Sequence, residues 1–217
     1  MEGVGSNTLA VQRLQSADDP GFQALVAMYR AGLPESERKP DAQLAEMIAR
    51  PDYLFLVVTL DGDAAGFSIS LYLQRTNACL LEYMAVDAAR RGHGLGRFLF
   101  RRLVEMPPQA GRYLLVEIDS DKLPSADRDD RVRRKRFYRN LGCREVEGFD
   151  YIMPPLSRST PPAMDLMVYR RDLPEAMSKA VLREWVEDVY TCVYSQPPTD
   201  PRIHQMMENL PEHLRLI

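Results

Sequence analysis

Three glycines on alternate positions, Gly92, Gly94 and Gly96, stand between a strand-like run that ends at Val86 and an amphipathic stretch with Leu95, Phe98, Leu99 and Leu103 on one face. Alternating glycines strip a turn of side chains, so its backbone N–H groups can converge on an anion. A helix start directly behind them adds partial positive charge. Arg90, Arg91 and Arg97 place full charges around the same spot. The order strand, amide-lined turn, helix commits this part of the chain to a strand–loop–helix unit, and a pyrophosphate is the occupant that such a turn fits.

Composition narrows what the unit can serve. A chain of 217 residues with 45% hydrophobic and 27% charged content suits one soluble domain with an appendage. A formal net charge of −3 argues against a general nucleic-acid coat and fits a small-molecule or cationic substrate. Cys79, Cys143 and Cys192 are widely spaced and form no metal-type pair, so they read as reduced, buried thiols, and no metal is expected. The first residues, Met1 to Asn7, lack a charged-then-apolar pattern, and no apolar run approaches the roughly 20 residues of a membrane span. The expected location is the cytoplasm, with no membrane partner.

Along the chain, residues 8–14 read as a strand, 20–32 as a helix on Phe22, Leu25, Val26 and Tyr29, and 41–49 as a second helix on Leu44, Met47 and Ile48. Tyr53 to Leu60 is a buried strand, Asp61-Gly62-Asp63 a hairpin turn, and 64–74 its partner strand. Residues 79–86 form the next strand, and Pro107-Pro108 end the helix behind the glycines. Further strands are expected at 113–118, 143–152 and 164–170, with a helix at about 131–141 closed by Gly142. Pro154, Pro155, Pro161 and Pro162 mark a rigid loop. The pattern is an α/β domain over 8–170 with a mixed, mostly antiparallel sheet flanked by helices.

Residues 171–217 lie outside that unit as a C-terminal helical extension. Asp172 and Glu175 read as a capping pair ahead of a helix carrying Met177, Val181, Trp185, Val189 and Val193, with a short helix at 202–209. Its apolar stripe must be covered by the domain's own sheet, by a second copy in a homodimer, or by another partner.

Rival readings of the glycines fail on spacing. A dinucleotide fingerprint needs its third glycine where Arg97 stands, and a nucleoside-triphosphate loop needs a Gly-Lys-Ser/Thr ending that is missing. What fits is Met84-Ala85-Val86, then Arg91-Gly92-His93-Gly94-Leu95-Gly96, then the amphipathic helix, and about forty residues later Phe137-Tyr138-Arg139-Asn140-Leu141-Gly142. In this order of motifs the chain resembles the GCN5-related N-acetyltransferase (GNAT) superfamily, whose signature Arg/Gln-x-x-Gly-x-Gly/Ala is met by Arg91, Gly94 and Gly96.

The resemblance implies an acyl-CoA-dependent acetyltransferase that uses acetyl-CoA as co-substrate and an amine as acceptor. Backbone groups of Met84, Ala85 and Val86 would hold the pantetheine arm. Amides of Gly92, His93, Gly94, Leu95, Gly96 and Arg97 would cradle the pyrophosphate, with Arg91 assisting, while Arg90 and Arg101 are open between that role and plain solvation. Attack of a neutral amine on a thioester needs a group to take the amine's proton and one to protonate the thiolate. Tyr138 matches the family's acid, against the alternative of a tyrosine packed beside the sheet. Glu82 and Glu117 each put a carboxylate on an otherwise apolar strand, which is costly unless the group is paired or functional. Both stand as candidate bases, Glu82 slightly ahead.

One departure stands out. Arg131 occupies the place of the asparagine by which the family contacts the CoA arm; Arg131 or Arg134 could instead reach a phosphate. The run Arg128 to Arg136 otherwise reads as a solvated helix face, because aspartates are interleaved with its arginines. A second reading of the whole chain is a catalytically silent CoA-binding module that regulates or interacts through its tail.

Overall fold

The computed structural model describes residues 8–107, 109–155 and 163–217. Pro108, Pro161 and Pro162 of the proline readings lie outside these residues. Seven strands make a mixed, mostly antiparallel sheet flanked by helices, and a separate pair of short strands follows near the C-terminus. The described residues of 1–71 and 81–110 form one compact unit, and those of 72–80 and 111–217 form another.

The strands β1 (Leu9–Leu14), β2 (Tyr53–Leu60), β3 (Asp63–Tyr72) and β4 (Ala78–Val86) follow one another in the sheet, and the first unit holds β1, β2, β3 up to Leu71 and β4 from Leu81. β1 pairs antiparallel with β2 from Leu9↔Leu60 to Leu14↔Phe55. β2 pairs with β3 across the turn at Asp61 and Gly62, whose positive φ values of 53° and 90° suit a tight hairpin. Tyr53 to Val58 are all buried, as their unbroken apolar run requires. A register shift at Val58/Thr59 lies beside Gly66, where a Cβ would sit 2.8 Å from the carbonyl oxygen of Ala85. Only glycine lets the two strand backbones approach this closely.

Among the described residues three α-helices belong to the same unit. α1 (Pro20–Gly32) starts with proline in its first turn and buries Phe22, Leu25, Val26 and Tyr29. α2 (Asp41–Ile48) buries Leu44, Met47 and Ile48. α3 (Leu95–Glu105) buries Leu95, Leu99, Phe100 and Leu103. Phe98, expected on that stripe, is only half-buried and lies under the Arg102 guanidinium at 5.2 Å, a cation–π contact.

In the second unit β5 (Tyr113–Asp119) pairs antiparallel with β7 (Met164–Tyr169), and β6 (Arg144–Glu145) pairs with β7 on its other side. The strand expected over 143–152 is thus cut to two residues. The backbones of Glu145 and Glu147 turn instead to Ile217 and Arg215 for hydrogen bonds, and Gly148 reverses the chain at φ +73°. α4 (Arg128–Arg139) begins three residues before the expected start, since Asp130 and Arg131 already donate to the Asp127 carbonyl.

The tail differs most from its sequence pattern. Ala176–Ser178 form a short strand, β8, paired with β9 (His213–Arg215), so Met177 faces Leu214 in a ladder and does not open a helix. The cap of α5 (Lys179–Cys192) is Ser178, whose Oγ accepts from the Val181 amide, and not the Asp172/Glu175 pair. Leu182, Trp185, Val186, Val189 and Tyr190 form the buried stripe, which keeps Trp185 and Val189 of the expected set, and Val181 is exposed. The Trp185 ring packs on Tyr113 with centroids 4.7 Å apart. Buried Asp188 accepts from the Arg75 amide and the Thr76 hydroxyl, and α6 (Pro201–Met207) buries Ile203, Met206 and Met207. No helix among the described residues is long and apolar enough to cross a membrane.

Candidate active site

The glycine stretch is built as a cradle. β4 ends at Val86, Asp87 caps a short helical turn over Ala88–Arg90, and Gly92 and Gly94 follow with φ values of +86° and +76°. These are left-handed values that other residues enter only at a cost of roughly 1–2 kcal/mol. A Cβ at either glycine would meet nothing within 4 Å, so the glycines are required by backbone conformation and not by crowding. Gly94 is itself the N-cap of α3, and no side chain caps that helix start. The first amides of α3 are therefore left for an outside acceptor.

Side chains around the cradle divide by their partners. Arg91, His93 and Arg97 are exposed, whereas Leu95 is buried and anchors the turn to the core. Arg90 is committed elsewhere: its guanidinium pairs with Asp63 at 2.9 Å and donates to the Leu60 carbonyl. Arg101 is exposed on α3. Met84, Ala85 and Val86 end β4 one short helical turn ahead of the cradle, and the Asp87 amide donates to the Ala65 carbonyl on β3.

Glu82 belongs to the same strand, two residues before Met84. Its side chain is 4% exposed, and both oxygens are engaged. The Tyr53 hydroxyl donates to Oε1 at 2.7 Å, and the Lys39 ammonium forms an ion pair with Oε2. Lys39 reaches it from the α1–α2 connection, where its backbone amide donates to the Tyr29 hydroxyl at 2.7 Å. The Tyr83 ring lies 5.6 Å from the same ammonium. Burial, followed by the charge of Glu82, pushes the Tyr53 phenol far above its ordinary range, and burial does the same for Tyr83. Both remain protonated donors.

Tyr138 and Glu117 belong to the second unit. Tyr138 is buried on α4, with its ring edge-on to Phe137. Burial first, then the neighbouring Cys143 thiol, raises its phenol well above the ordinary value, against the opposing charge of Arg134. A phenol that holds its proton this firmly can act as a hydrogen donor throughout the neutral range. Glu117 on β5 accepts from the Tyr151 hydroxyl at Oε1 and from the Tyr194 hydroxyl at Oε2, the latter at 2.7 Å.

The arginines proposed as substitutes for the missing asparagine have local partners. Arg131 donates to Asp127 and to the Ser120 carbonyl, and Arg134 donates to Asp119 at 2.8 Å. Lys135 departs from the picture of a solvated face: it is buried and pairs with Asp121, Glu145 and Asp165. Cys79 and Cys143 are buried thiols outside any disulfide, Cys192 is half-buried, and burial holds the Cys143 thiol up at about 12. Sequence reasoning missed Lys39, Tyr53, Tyr151 and Tyr194. Lys39 lies in a charged loop with no periodic signal, and the tyrosines lie in runs that read as ordinary core.

The family model for the acetyltransferase (GNAT) family matches residues 21–142, more than half of the chain. No curated protein matches the sequence significantly. Among solved structures, a GNAT-family protein assigned as an acetyltransferase, from Bacteroides thetaiotaomicron, superposes with a TM-score of 0.70 at 20% identity, covering 86% of this chain and 99% of its own. The ribosomal-protein-S18-alanine N-acetyltransferase of Escherichia coli gives 0.54 at 19% identity, covering 77% and 99%. An aminoglycoside acetyltransferase from an uncultured soil metagenomic sample gives 0.52 at 19% identity, covering 68% and 98%. With the uncapped glycine cradle behind β4 and a family match that spans both the cradle and the α4 tyrosine, the chain belongs to the GNAT family of acyl-CoA-dependent N-acetyltransferases.

Proposed function

We propose that this enzyme moves the acetyl group of acetyl-CoA to a primary amine by direct attack, with Glu82 as base and Tyr138 as acid. The observation that carries the donor half is the cradle: two left-handed glycines and an uncapped helix start present amides to an anion, with Arg91 and Arg97 exposed beside them. Backbone groups of Met84, Ala85 and Val86 would hold the pantetheine arm. Amides of Gly92 to Arg97 would take the pyrophosphate.

Glu82 receives the amine's proton, directly or through water, as the nitrogen attacks the thioester carbonyl. Tyr138 gives its proton to the departing thiolate, a role its firmly held proton suits. Glu82 is preferred to Glu117 because it shares β4 with the residues that lead into the cradle. The acceptor class is a primary amine, and the solved structures that share the fold include enzymes named for a ribosomal-protein alanine and for aminoglycosides. At that identity they share the fold alone, so both classes belong in one screen.

That screen measures release of CoA thiol from acetyl-CoA and longer acyl-CoAs against simple amines, peptides with a free N-terminus, and aminoglycosides. Amine-dependent thiol release is the expected result. Absence of calorimetric acetyl-CoA binding, with Gly94→Glu behaving as wild type, would overturn the reading.

A further inference from the structure

The chain is almost free of lysine: of its 28 basic residues four are lysines, Lys39, Lys122, Lys135 and Lys179. Arginine carries the remaining positive charge, and a guanidinium cannot give up a proton to become an acyl acceptor near neutral pH. Three of the four lysines have structural partners. Lys135 is buried among Asp121, Glu145 and Asp165, Lys122 pairs with Asp165 and Asp150, and Lys179 pairs with Glu212 and the Leu210 carbonyl. Lys39 alone is held on a carboxylate proposed to take a proton from an acceptor amine.

The placement is specific. The Lys39 ammonium donates to Oε2 of Glu82, while Tyr53 fixes Oε1, so one oxygen is set by the protein and the other receives an amine. The backbone of Lys39 is anchored through the Tyr29 hydroxyl, and α1, Tyr29, Lys39, Glu82 and the glycine cradle all belong to one compact unit. The Lys39 side chain is 13% exposed, so it is largely shielded from solvent amines and bulk water.

We infer that Lys39 is an acceptor within the chain itself, a self-acetylation site; this rests on the acetyl-transfer reading with Glu82 as base. Glu82 takes a proton from the Lys39 ammonium, and the freed Nζ lone pair attacks the thioester carbonyl. The C–N bond forms and the C–S bond breaks. The thiolate leaves with the Tyr138 proton, and the attacking nitrogen sheds its second proton to become an amide. The products are acetylated Lys39, CoA thiol and one net proton. Acetylation removes the charge that pairs with Glu82, so a modified chain has its carboxylate released from the ammonium.

The test incubates the purified full-length chain with acetyl-CoA and no added amine, and follows intact mass, peptide maps and thiol release. A glutamate-directed protease is used for mapping, because Pro40 follows Lys39. One acetyl group on Lys39, with thiol released in proportion to protein and at a first-order rate independent of protein concentration, is the expected result. Lys39→Arg should carry none. Tyr138→Phe should slow the modification by about a hundredfold, the scale of a lost general acid. Gly94→Glu gives a second, independent loss.

Acetylation without catalysis favours Lys122, 51% exposed, over Lys39, so modification spread to Lys122 and unchanged in Tyr138→Phe overturns the inference. So does a chain that acetylates an amine from the screen while Lys39 stays unmodified, and in that case the proposed activity stands. Failure to bind acetyl-CoA in calorimetry removes both.

Discussion

The Tyr194 hydroxyl donates to Oε2 of Glu117 at 2.7 Å across 77 residues of sequence, tying the end of α5 to the middle of β5. The chain holds that contact with some effort. Ser195, the next residue, has a φ of +53°, a left-handed value for a non-glycine, and Gln196 bonds back to the Tyr190 and Tyr194 carbonyls. Tyr194→Phe should cost about 1.5–3 kcal/mol, the range for a hydrogen bond to a charged group, read as a lower midpoint in urea with an unchanged slope.

Removal of the tail should be far more damaging than that single loss. A chain ending at residue 171 lacks Trp185 against Tyr113, the Asp188 carboxylate under the Arg75–Thr76 turn, and the Ile217 backbone bonds to Glu145. We expect such a truncation to lose cooperative unfolding and to bind a hydrophobic dye, whereas full-length protein does neither. A truncation that sediments as a compact monomer with a sharp thermal transition would show the tail to be dispensable.

Much of this architecture was readable from spacing. The helices expected at 20–32 and 41–49, the latter observed over Asp41–Ile48, and the hairpin about Asp61-Gly62 follow from periodicity and turn chemistry, which act within a few residues. The tail was misread because a helical stripe through Met177 looks continuous until Leu214 supplies a strand partner from the far end of the chain. The same limit applies to the site. Glu82 and Glu117 are visible as carboxylates on apolar strands, but their partners arrive from 43 and 77 residues away, and pairing at that range leaves no local pattern.

The two left-handed glycines of the cradle separate conformation from crowding. Gly94→Ala adds a methyl group to open space at φ +76°, so its cost to folding should be roughly 1–2 kcal/mol from the backbone alone. It should also weaken acetyl-CoA binding, because the amides turn away. Gly66→Ala places its methyl 2.8 Å from the Ala85 carbonyl and must move a strand, so it should destabilise more. Thermal melts and acetyl-CoA calorimetry on the pair should show the larger stability loss for Gly66 and the more selective binding loss for Gly94.

High pH should unfold this protein through its tyrosines. Burial raises the phenols of Tyr53, Tyr83, Tyr138, Tyr151 and Tyr190 above the ordinary value of 10. Each therefore holds its proton in the folded state after the unfolded chain has lost it. The stability this gives is complete below pH 10 and declines as pH rises toward the folded values. Tyrosinate absorbance from these side chains should appear together with loss of tertiary circular dichroism, and an early titration of most of them in folded protein would contradict their burial.

Asp165 sets the opposite, acidic limit in the second unit. Its carboxylate is 3% exposed, with the Lys122 ammonium at 3.1 Å from Oδ1 and the Lys135 ammonium 2.5 Å from Oδ2, the latter an ionic contact without hydrogen-bond alignment. Burial works against the charge, but the two lysines outweigh it and hold the carboxyl below its ordinary 3.8. The unfolded chain takes up the proton first, so this contribution is full above about pH 4 and is lost as pH falls through the folded value. Asp165→Asn should cost about 3–5 kcal/mol at neutral pH, because Lys135 stays buried with less to balance it, and should flatten the acid side of the stability curve.

Catalysis gives the sharpest division of roles between the two carboxylates. Glu82→Gln keeps an acceptor and a similar volume but cannot take a proton, so kcat should fall by about a hundredfold to ten-thousandfold while acetyl-CoA binding persists. Tyr138→Phe should lower kcat by a similar factor, and more for thiols that leave poorly than for an activated thioester, which needs less protonation. Glu117→Gln should act mainly on stability, since both of its oxygens accept from tyrosine hydroxyls. Steady-state kinetics and melts on all three variants decide it. A Glu117 variant that folds well and loses kcat, beside a Glu82 variant that keeps it, would move the base from β4 to β5.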